Sequence, residues 1–379
     1  MTQAYWNGRP LSRPPLLRRK IPIGRCCPTR HRRLDRTIAT IGLDLAKNVF
    51  QVHGVDERGV TALRKQLRRD QVAAFFARHQ PCLIGIEACG GAHDWAAKLT
   101  ALGHTVKRMA PQFAKLYVKT NKNDCLDAEA ICEAVARPNM RFVPVKSPEQ
   151  QSVLALHTAR QGFVHARSAQ ANQIRGLLLE FGLAIPQGMR PLYDRVPDLI
   201  EDATNELPLR FRHLIDRLYR HLKELDRQVQ ALEREIERWH RGNEVSRRLE
   251  TLPGIGPLTA SALVASAGDP RNFKNARQFA AWIGLVPHQN CSGGKTQLLG
   301  ISKRGNVYLR TLLIHGGRAL VQRARTRPDW STTWLGRLVT RRHHNVAAVA
   351  MANKNARRAW AMLMSGAGYE PRHVPAPNA

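Results

Sequence analysis

Four carboxylates in the first third of the chain have the type and spacing of a shared metal site. Asp44 and Glu87 each end an apolar, strand-like run, and Asp124 and Asp127 lie three residues apart in a helical pattern. Carboxylate oxygens are the ligands that Mg²⁺ prefers, with Mn²⁺ as a substitute. Because bound Mg²⁺ activates phosphodiesters, these residues predict a metal-dependent reaction on a phosphodiester.

Each of these acids also has a simpler explanation. Aspartate often ends a strand as a turn former. Asp124 and Asp127 would suit the first turn of a helix, where the helix dipole favours acids. Two carboxylates one turn apart repel each other, however, and a divalent cation would relieve that repulsion.

The charge of the chain indicates a polyanionic partner. Its 379 residues carry 60 Lys and Arg against 29 Asp and Glu, a formal charge of +31. Double-stranded DNA or structured RNA would meet that charge, and a basic ribosome-associated protein is the alternative. Aromatic residues make up only 6%, so we do not expect base stacking on single strands to dominate binding.

Cysteine content and hydropathy indicate the cellular compartment. The seven cysteines are odd in number and form no C-x-x-C pair, which argues against a disulfide framework or a zinc site. No apolar run approaches the roughly 18 residues that a transmembrane helix needs. The basic N-terminus lacks the apolar core of a secretory signal. We therefore expect a cytoplasmic protein without a membrane partner.

The elements that must position the acids read as an α/β domain over residues 37–145. Three hairpin-linked strands come first, then helices and strands alternate, which is the order of a mixed sheet of the ribonuclease H or RuvC type. The expected strands are Thr37–Leu45, Asn48–Val55, Thr61–Gln66, Cys82–Glu87 and Thr105–Met109. The expected helices are Asp70–Arg78, Ala92–Leu102 and a helical stretch over Pro111–Ala136.

A helical arm is expected over residues 146–245. Ser147 has the features of a helix N-cap, and the helix that it opens would run to the Phe181-Gly182 stop. A second helix carries apolar residues at alternating steps of four and three, from Phe211 to Trp239. This heptad seam predicts an antiparallel or dimeric coiled coil that serves as a spacer or for self-association. An ordinary amphipathic bundle helix is the alternative.

A helical C-terminal domain is expected over residues 246–370, and it begins with a glycine-rich turn. Leu252–Ala260 (LPGIGPLTA) lies between helical patterns and matches a helix–hairpin–helix, in which Gly254 and Gly256 would let backbone N–H groups approach a DNA phosphate. A plain helical hairpin is the alternative. Residues 271–379 hold 18 Lys and Arg but only two acids, which also favours phosphate contact.

Further along, Asn290–Lys295 reads as a small-residue loop. Its Ser292, Gly293, Gly294 and Lys295 are followed by Lys303, Arg304 and Arg310. Residue chemistry alone supports at most a phosphate-binding loop here, and an ordinary loop is the favoured interpretation. The remaining segments, 1–36 and 371–379, read as tails; the first is basic and proline-rich and is expected to be disordered.

Five segments together resemble the DEDD-type insertion-sequence transposases, the family that includes the Piv DNA invertase. They are IGLDLAKNVFQVHGVD, IEACGGAHDWA, VKTNKNDCLDAEAI, LPGIGPLTA and SGGK followed by GISKRGNVYLR, in order over residues 38–365. The resemblance implies a RuvC-like domain whose acidic set is Asp44, Glu87, Asp124 and Asp127. It also implies a C-terminal transposase domain whose serine nucleophile is Ser292.

The same resemblance implies partners and a reaction. Members of the family recombine donor and target DNA under the direction of a structured bridge RNA. Their active site is described as composite, with the acids of one protomer facing the serine of another within a tetramer. For this chain the resemblance implies a homo-oligomer, from dimer to tetramer. Cys291 and Leu116 depart from the commoner pattern, which has serine and proline there. A hydrolytic RuvC-like nuclease and a non-catalytic nucleic-acid-binding protein remain the alternatives.

Overall fold

The computed structural model describes residues 37–117, 124–324, 326 and 332–370. The tails predicted at residues 1–36 and 371–379 lie outside these ranges. The strands are β1 Thr40–Asp44, β2 Val49–Val55, β3 Thr61–Arg68, β4 Leu83–Glu87, β5 Thr105–Met109, β6 Phe142–Val143, β7 Pro287–Ser292 and β8 Lys295–Ile301. The helices are α1 Val72–Phe76, α2 Ala92–Ala101, α3 Pro111–Ala114, α4 Asp124–Val135, α5 Pro148–Leu179, α6 Met189–Glu201, α7 Leu209–Gly242, α8 Glu244–Glu250, α9 Pro257–Ala267, α10 Ala276–Ile283, α11 Val307–Ala324, α12 Trp334–Arg341 and α13 His344–Ser365.

The first six strands form one mixed sheet in the order β3-β2-β1-β4-β5-β6. Strands β1, β4 and β5 are parallel, whereas β2, β3 and β6 are antiparallel to their neighbours. The apolar residues of β1 and β4, such as Ile41 and Ile84, are fully buried. Such continuous apolar runs are typical of parallel strands covered on both faces. The mixed α/β order agrees with the expected ribonuclease H-like domain.

Some local expectations for this domain were wrong. The segment expected as a helix over Asp70–Arg78 is a 3₁₀ turn followed by the short α1. Strand β6 was not expected at all, because a two-residue strand carries no readable period. It is held by pairing with β5, with Phe142 opposite Met109.

The helical arm is an antiparallel pair formed by α5 and α7 of the same chain. Ser147 caps α5 as expected, accepting a hydrogen bond from the backbone N–H of Gln150. Cross-links show the direction: the side chain of Arg160 reaches Glu233, and that of Arg167 reaches Asp226. The heptad seam of α7 is therefore covered by α5, which supports the antiparallel alternative. The seam by itself no longer requires a second chain.

Helices α8 to α13 build the C-terminal region around a core that includes Leu263, Phe279, Ile283 and Leu313. The region was expected to be helical, with a small-residue loop at Asn290–Lys295. The hairpin of β7 and β8 corrects that expectation, because two strands were not predicted on either side of the loop. In the described ranges, none of the helices is both long enough and apolar enough to cross a membrane.

Candidate active site and nucleic-acid interface

Strand register brings Asp44 and Glu87 to the same edge of the sheet. Strands β1 and β4 run parallel with Leu43 opposite Ile86. The next residue on each strand is the carboxylate, and neighbouring strands lie about 4.8 Å apart. Both acids are half-buried. The backbone thus places these two carboxylates beside each other, as the sequence predicted.

Helix α4 carries the backbone positions of the other two acids, and it begins near the same edge. It runs antiparallel to β1: a Cβ added at Gly42 would lie 2.1 Å from the carbonyl oxygen of Ala128, and the Cys132 thiol lies 3.6 Å from that of Thr40. From Gly42 to Asp44 the strand advances about 7 Å, and from Ala128 back to Asp124 the helix advances about 6 Å. The N-terminus of α4 therefore lies level with Asp44.

Asp127 belongs to this first turn of α4 and is half-buried. Asp124 begins the helix, but its side chain lies outside the described residues. Among the side chains that the structure does describe, no group of three or more His, Cys, Asp or Glu is placed to hold a metal ion. A four-carboxylate site therefore depends on the side chain of Asp124 and stays a prediction.

Cys89 lies beside the acidic pair, and sequence reasoning missed it. Burial raises the pKa of its thiol, and the negative charges of Glu87 and Asp44 raise it further. The thiol donates to the carbonyl oxygen of Leu45 at 3.9 Å. A protonated thiol is a poor ligand, so the donors left at this edge are carboxylate oxygens. Those donors fit a hard cation such as Mg²⁺.

A buried arginine lies near the same edge. Arg108 on β5 donates to Nδ1 of His93 at 2.7 Å and to the carbonyl oxygen of Pro144 at 3.1 Å. The backbone N–H of Lys146 donates to the same ring nitrogen at 3.0 Å. Burial, with the charges of Arg108 and Lys146, lowers the pKa of His93 to about 4. The neutral ring therefore accepts both bonds and ties the sheet to the start of the arm.

Ser292 lies at the tip of the β7–β8 hairpin, paired with Lys295. Gly293 and Gly294 form its turn with φ of +55° and +76°, the left-handed conformation of a tight two-residue turn. The expected loop is therefore a strand end, which holds an exposed hydroxyl beside an exposed ammonium group. In the described residues, β7 and β8 make extensive contact only with each other among the elements.

The two glycines of the predicted helix–hairpin–helix have different surroundings. Gly254 has φ of +83°, and an added Cβ would lie 2.7 Å from Leu320 and 3.0 Å from the carbonyl oxygen of Gly316. Its close approach is thus to α11, inside the protein. Gly256 is exposed, has open space around it and precedes Pro257 at the start of α9. Gly256 therefore remains available to a phosphate, whereas Gly254 has a packing role.

The three cations after the hairpin also differ. Lys303 and Arg304 are exposed. Arg310 is only 8% exposed, and it donates to the carbonyl oxygen of Ile283 at 2.9 Å. The expectation that Arg310 contacts nucleic acid is corrected here, because its guanidinium is used to join α11 to the end of α10.

Comparison with known proteins identifies the family. Residues 246–334 match the model described as the transposase IS116/IS110/IS902 family, and residues 41–182 match a second transposase model, of the DEDD type found in IS110. A probable family 20 transposase of Pseudomonas aeruginosa is 50% identical over 88% of this chain and 99% of its own length.

Two further relatives are similar over nearly the same range. The transposase for insertion sequence element IS1328 of Yersinia enterocolitica is 42% identical, covering 87% of this chain and 98% of its own length. The transposase for insertion sequence element IS1111A of Coxiella burnetii is 42% identical, covering 88% and 92%. The matches extend over the sheet domain, the arm and the C-terminal region, and the chain is therefore a member of the IS110/IS116 family of insertion-sequence transposases.

Proposed function

We propose that this transposase exchanges strands between donor and target DNA, using Asp44, Glu87, Asp124 and Asp127 together with the hydroxyl of Ser292. The observation that carries the proposal is the meeting of β1, β4 and the N-terminus of α4 at one sheet edge. Three separate chain segments bring carboxylates there. Such a concentration of acids is unusual in a chain with a formal charge of +31.

The carboxylates are proposed to hold Mg²⁺ or Mn²⁺. When bound, the metal supplies positive charge that stabilises the phosphorane-like transition state of phosphodiester exchange. The chain's own contribution is rigidity: Asp44 and Glu87 are fixed by strand pairing, and Asp127 by a helix in direct backbone contact with β1. Positioning of this kind accounts for much of the barrier reduction in such reactions.

The serine step conserves bonds. The Oγ of Ser292 forms a bond to the scissile phosphorus, and the bond from that phosphorus to a deoxyribose oxygen breaks. The hydroxyl proton leaves Oγ and ends on the released deoxyribose oxygen. Attack by the corresponding hydroxyl of the second DNA reverses the step and releases the serine. Because one phosphodiester replaces another, exchange requires no nucleoside triphosphate.

We further propose that a structured RNA from the element's non-coding end guides the protein, and that two or more protomers assemble on the DNA. The excess of cations supports a large polyanionic partner. Strand exchange assayed with donor and target DNA, with and without a transcript of that segment, tests guidance. Exchange at the same sites without the transcript would exclude it.

Single substitutions test the chemistry. Ser292→Ala should abolish the covalent protein–DNA species, and Asp44→Asn should lower the rate of exchange by about 10²-fold or more. Glu133→Gln, also on α4 but paired with Arg137 on its exposed side, is the matched control and should keep full activity.

Two outcomes would favour the other functions. If Ser292→Ala still cleaves DNA and releases free ends, the protein is a hydrolytic nuclease of the RuvC type. If the unmodified chain binds nucleic acid but yields no cleaved or joined product with Mg²⁺, Mn²⁺ and guide transcript present, it is a non-catalytic binding protein. The carboxylates at the adjacent ends of β1 and β4 favour the hydrolytic nuclease over the non-catalytic binding protein.

A further inference from the structure

A shallow basic pocket of about 530 Å³ opens on the sheet domain beside the β1–β2 turn. Its lining comes from three separate segments: the start of β2, the end of β3 and α2. The residues are Asn48, Arg68, Arg69, Asp70, Trp95 and Lys98. Three cations and one carboxylate give it a net positive charge. None of the residues proposed above for catalysis or nucleic-acid contact belongs to it.

Two of the cations have exposed acidic neighbours. Arg68 pairs with Asp70 at 3.1 Å and Lys98 pairs with Asp94 at 2.9 Å, with every partner at least half exposed. Exposed pairs of this kind contribute little to stability. An incoming dianionic or polyanionic group can therefore replace either carboxylate at small cost.

Arg69 is held in place by the backbone of the β1–β2 turn. Its N–H donates to the carbonyl oxygen of Asn48 at 3.0 Å, and its guanidinium donates to that of Lys47 at 3.4 Å. The guanidinium also lies 5.6 Å from the ring centre of Trp95. In the described part of the chain, its contacts include no carboxylate. The result is a preorganised donor at the pocket wall.

Trp95 forms one wall of the pocket. Its side chain is 4% exposed, and its buried indole Nε1–H has no hydrogen-bond acceptor among the described residues. Lys98 lies over the ring at 5.2 Å from the centre. The pocket thus offers donors from arginine and lysine beside the Trp95 ring, and the complementary ligand is an anionic oxygen.

We propose that this pocket binds a backbone phosphate of a nucleic-acid strand that continues to the acidic edge. Asn48 follows Asp44 by four residues, so their separation is at most about 14 Å. One strand of a duplex places a phosphate every 3.4 Å along the axis. The bound phosphate therefore lies within a few nucleotides of the carboxylates. The inference rests on the proposed function in one respect: the distance to the carboxylates matters because they are the proposed catalytic site.

Salt-dependent binding tests the pocket with the full-length protein. The probes are a labelled 20-base-pair DNA duplex and an RNA duplex of the same sequence, titrated at several salt concentrations without divalent metal. The variant Arg69→Gln/Lys98→Gln removes two pocket cations. The matched control Arg58→Gln/Arg78→Gln removes two exposed cations of the same domain that do not line the pocket.

Loss of two phosphate contacts should reduce the slope of log affinity against log salt by up to about two. A reduction with the DNA probe, the RNA probe or both supports the proposal, and the probe that responds identifies the strand. The same slope for the pocket and control variants with both probes overturns it. Because binding is measured without metal and can be repeated in Asp44→Asn, a failure of the catalytic proposal would not affect this result.

Discussion

At the scale of single residues, two glycines allow the acidic edge to form. An added Cβ at Gly42 would meet the backbone of Ala128 and Cys132, and one at Gly85 would lie 2.8 Å from the Cβ of Val135. Without side chains at these positions, α4 packs directly on β1 and β4. The position of Asp127 relative to Asp44 therefore depends on the lack of side chains at Gly42 and Gly85, which lets α4 approach the sheet.

Gly42→Ala should separate α4 from the sheet. The new Cβ would lie 2.1 Å from a carbonyl oxygen and 2.4 Å from a backbone nitrogen, neither of which can rotate away. We expect a loss of about 1–3 kcal/mol or more in the free energy of unfolding, measured by urea titration. Gly90→Ala, where an added Cβ meets nothing within 4 Å, is the control. Equal stability of the two variants would contradict this account of the packing.

A buried histidine joins the arm to the C-terminal region. His157 on α5 contacts the hydroxyl of Tyr308 through Nδ1 at 2.9 Å and that of Ser261 through Nε2 at 3.1 Å. Ser261 donates its hydroxyl proton to the carbonyl oxygen of Pro257, so its oxygen accepts from Nε2 of the ring. The hydroxyl of Tyr308 then donates to Nδ1. A neutral ring satisfies both contacts. Burial, with the charge of Arg160, lowers the pKa of His157 to about 4.

This pKa predicts a loss of stability in acid. Between pH 6.5 and about 4 the unfolded chain binds a proton at His157 that the folded chain does not bind, so unfolding becomes easier as pH falls. The free energy of unfolding keeps this contribution in full above pH 6.5. The loss reaches up to about 3 kcal/mol near pH 4. His157→Gln should weaken this pH dependence in urea unfolding, whereas the exposed His165→Gln on the same helix should not. Identical pH dependence in both variants would exclude this role for His157.

At the scale of elements, the arm depends on the register between α5 and α7. Arg160 donates to Glu233 at 2.8 Å through Nε, and Gln170 lies opposite His221. As the number on one helix rises, that of its partner falls, which is the signature of an antiparallel pair. The Arg160 side chain is 16% exposed, so its ion pair is better shielded than a surface pair.

A double-mutant cycle tests that register. Arg160→Glu alone should destabilise the arm by placing two carboxylates together, and adding Glu233→Arg should recover part of the loss. We expect a coupling of about 1 kcal/mol in thermal or urea unfolding. The exposed pair Arg190–Asp194, at 3.8 Å, should give a coupling near zero. Additive effects at Arg160 and Glu233 would contradict the antiparallel register.

The sequence predicted those elements whose apolar pattern or capping residue can be recognised within one segment of the chain. Strands β1 and β4, the Ser147 cap and the α7 seam all have that character. It could not choose the partner of the seam, since an a/d pattern is equally satisfied by another chain or by α5. Nor could it separate Gly254, which packs on α11, from Gly256, which faces solvent, because only tertiary contacts distinguish them.

The site residues also divide into those that a local sequence pattern predicts and those that only tertiary contacts reveal. Strand ends pointed to Asp44 and Glu87, and the register of β1 and β4 brings them together. Arg310 was expected to contact nucleic acid because it follows the basic loop, yet its guanidinium is buried and donates to the carbonyl oxygen of Ile283. Cys89 gave no signal in sequence, since a lone cysteine becomes informative only when the charges around it are known.

At the scale of the whole molecule, the two proposed halves of the active site lie on different sheets. The acids lie on the sheet, and Ser292 lies at the tip of an exposed hairpin beyond the arm. The hairpin also exposes two neighbouring leucines, Leu298 and Leu299, at 65% and 44%. Both features suit a hairpin that meets another surface during assembly.

Mixing two inactive variants tests whether the active site is shared between protomers. Asp44→Asn lacks a carboxylate but keeps its serine, and Ser292→Ala has the reverse defect. If the acids of one protomer work with the serine of another, a mixed assembly contains sites in which both are intact. Strand exchange should then return to a measurable fraction of the unmodified rate, and light scattering on DNA should show more than one protomer. If each variant binds DNA but the mixture stays as inactive as either alone, the acids and the serine act within one chain, and the hairpin must reach the acidic edge of its own sheet.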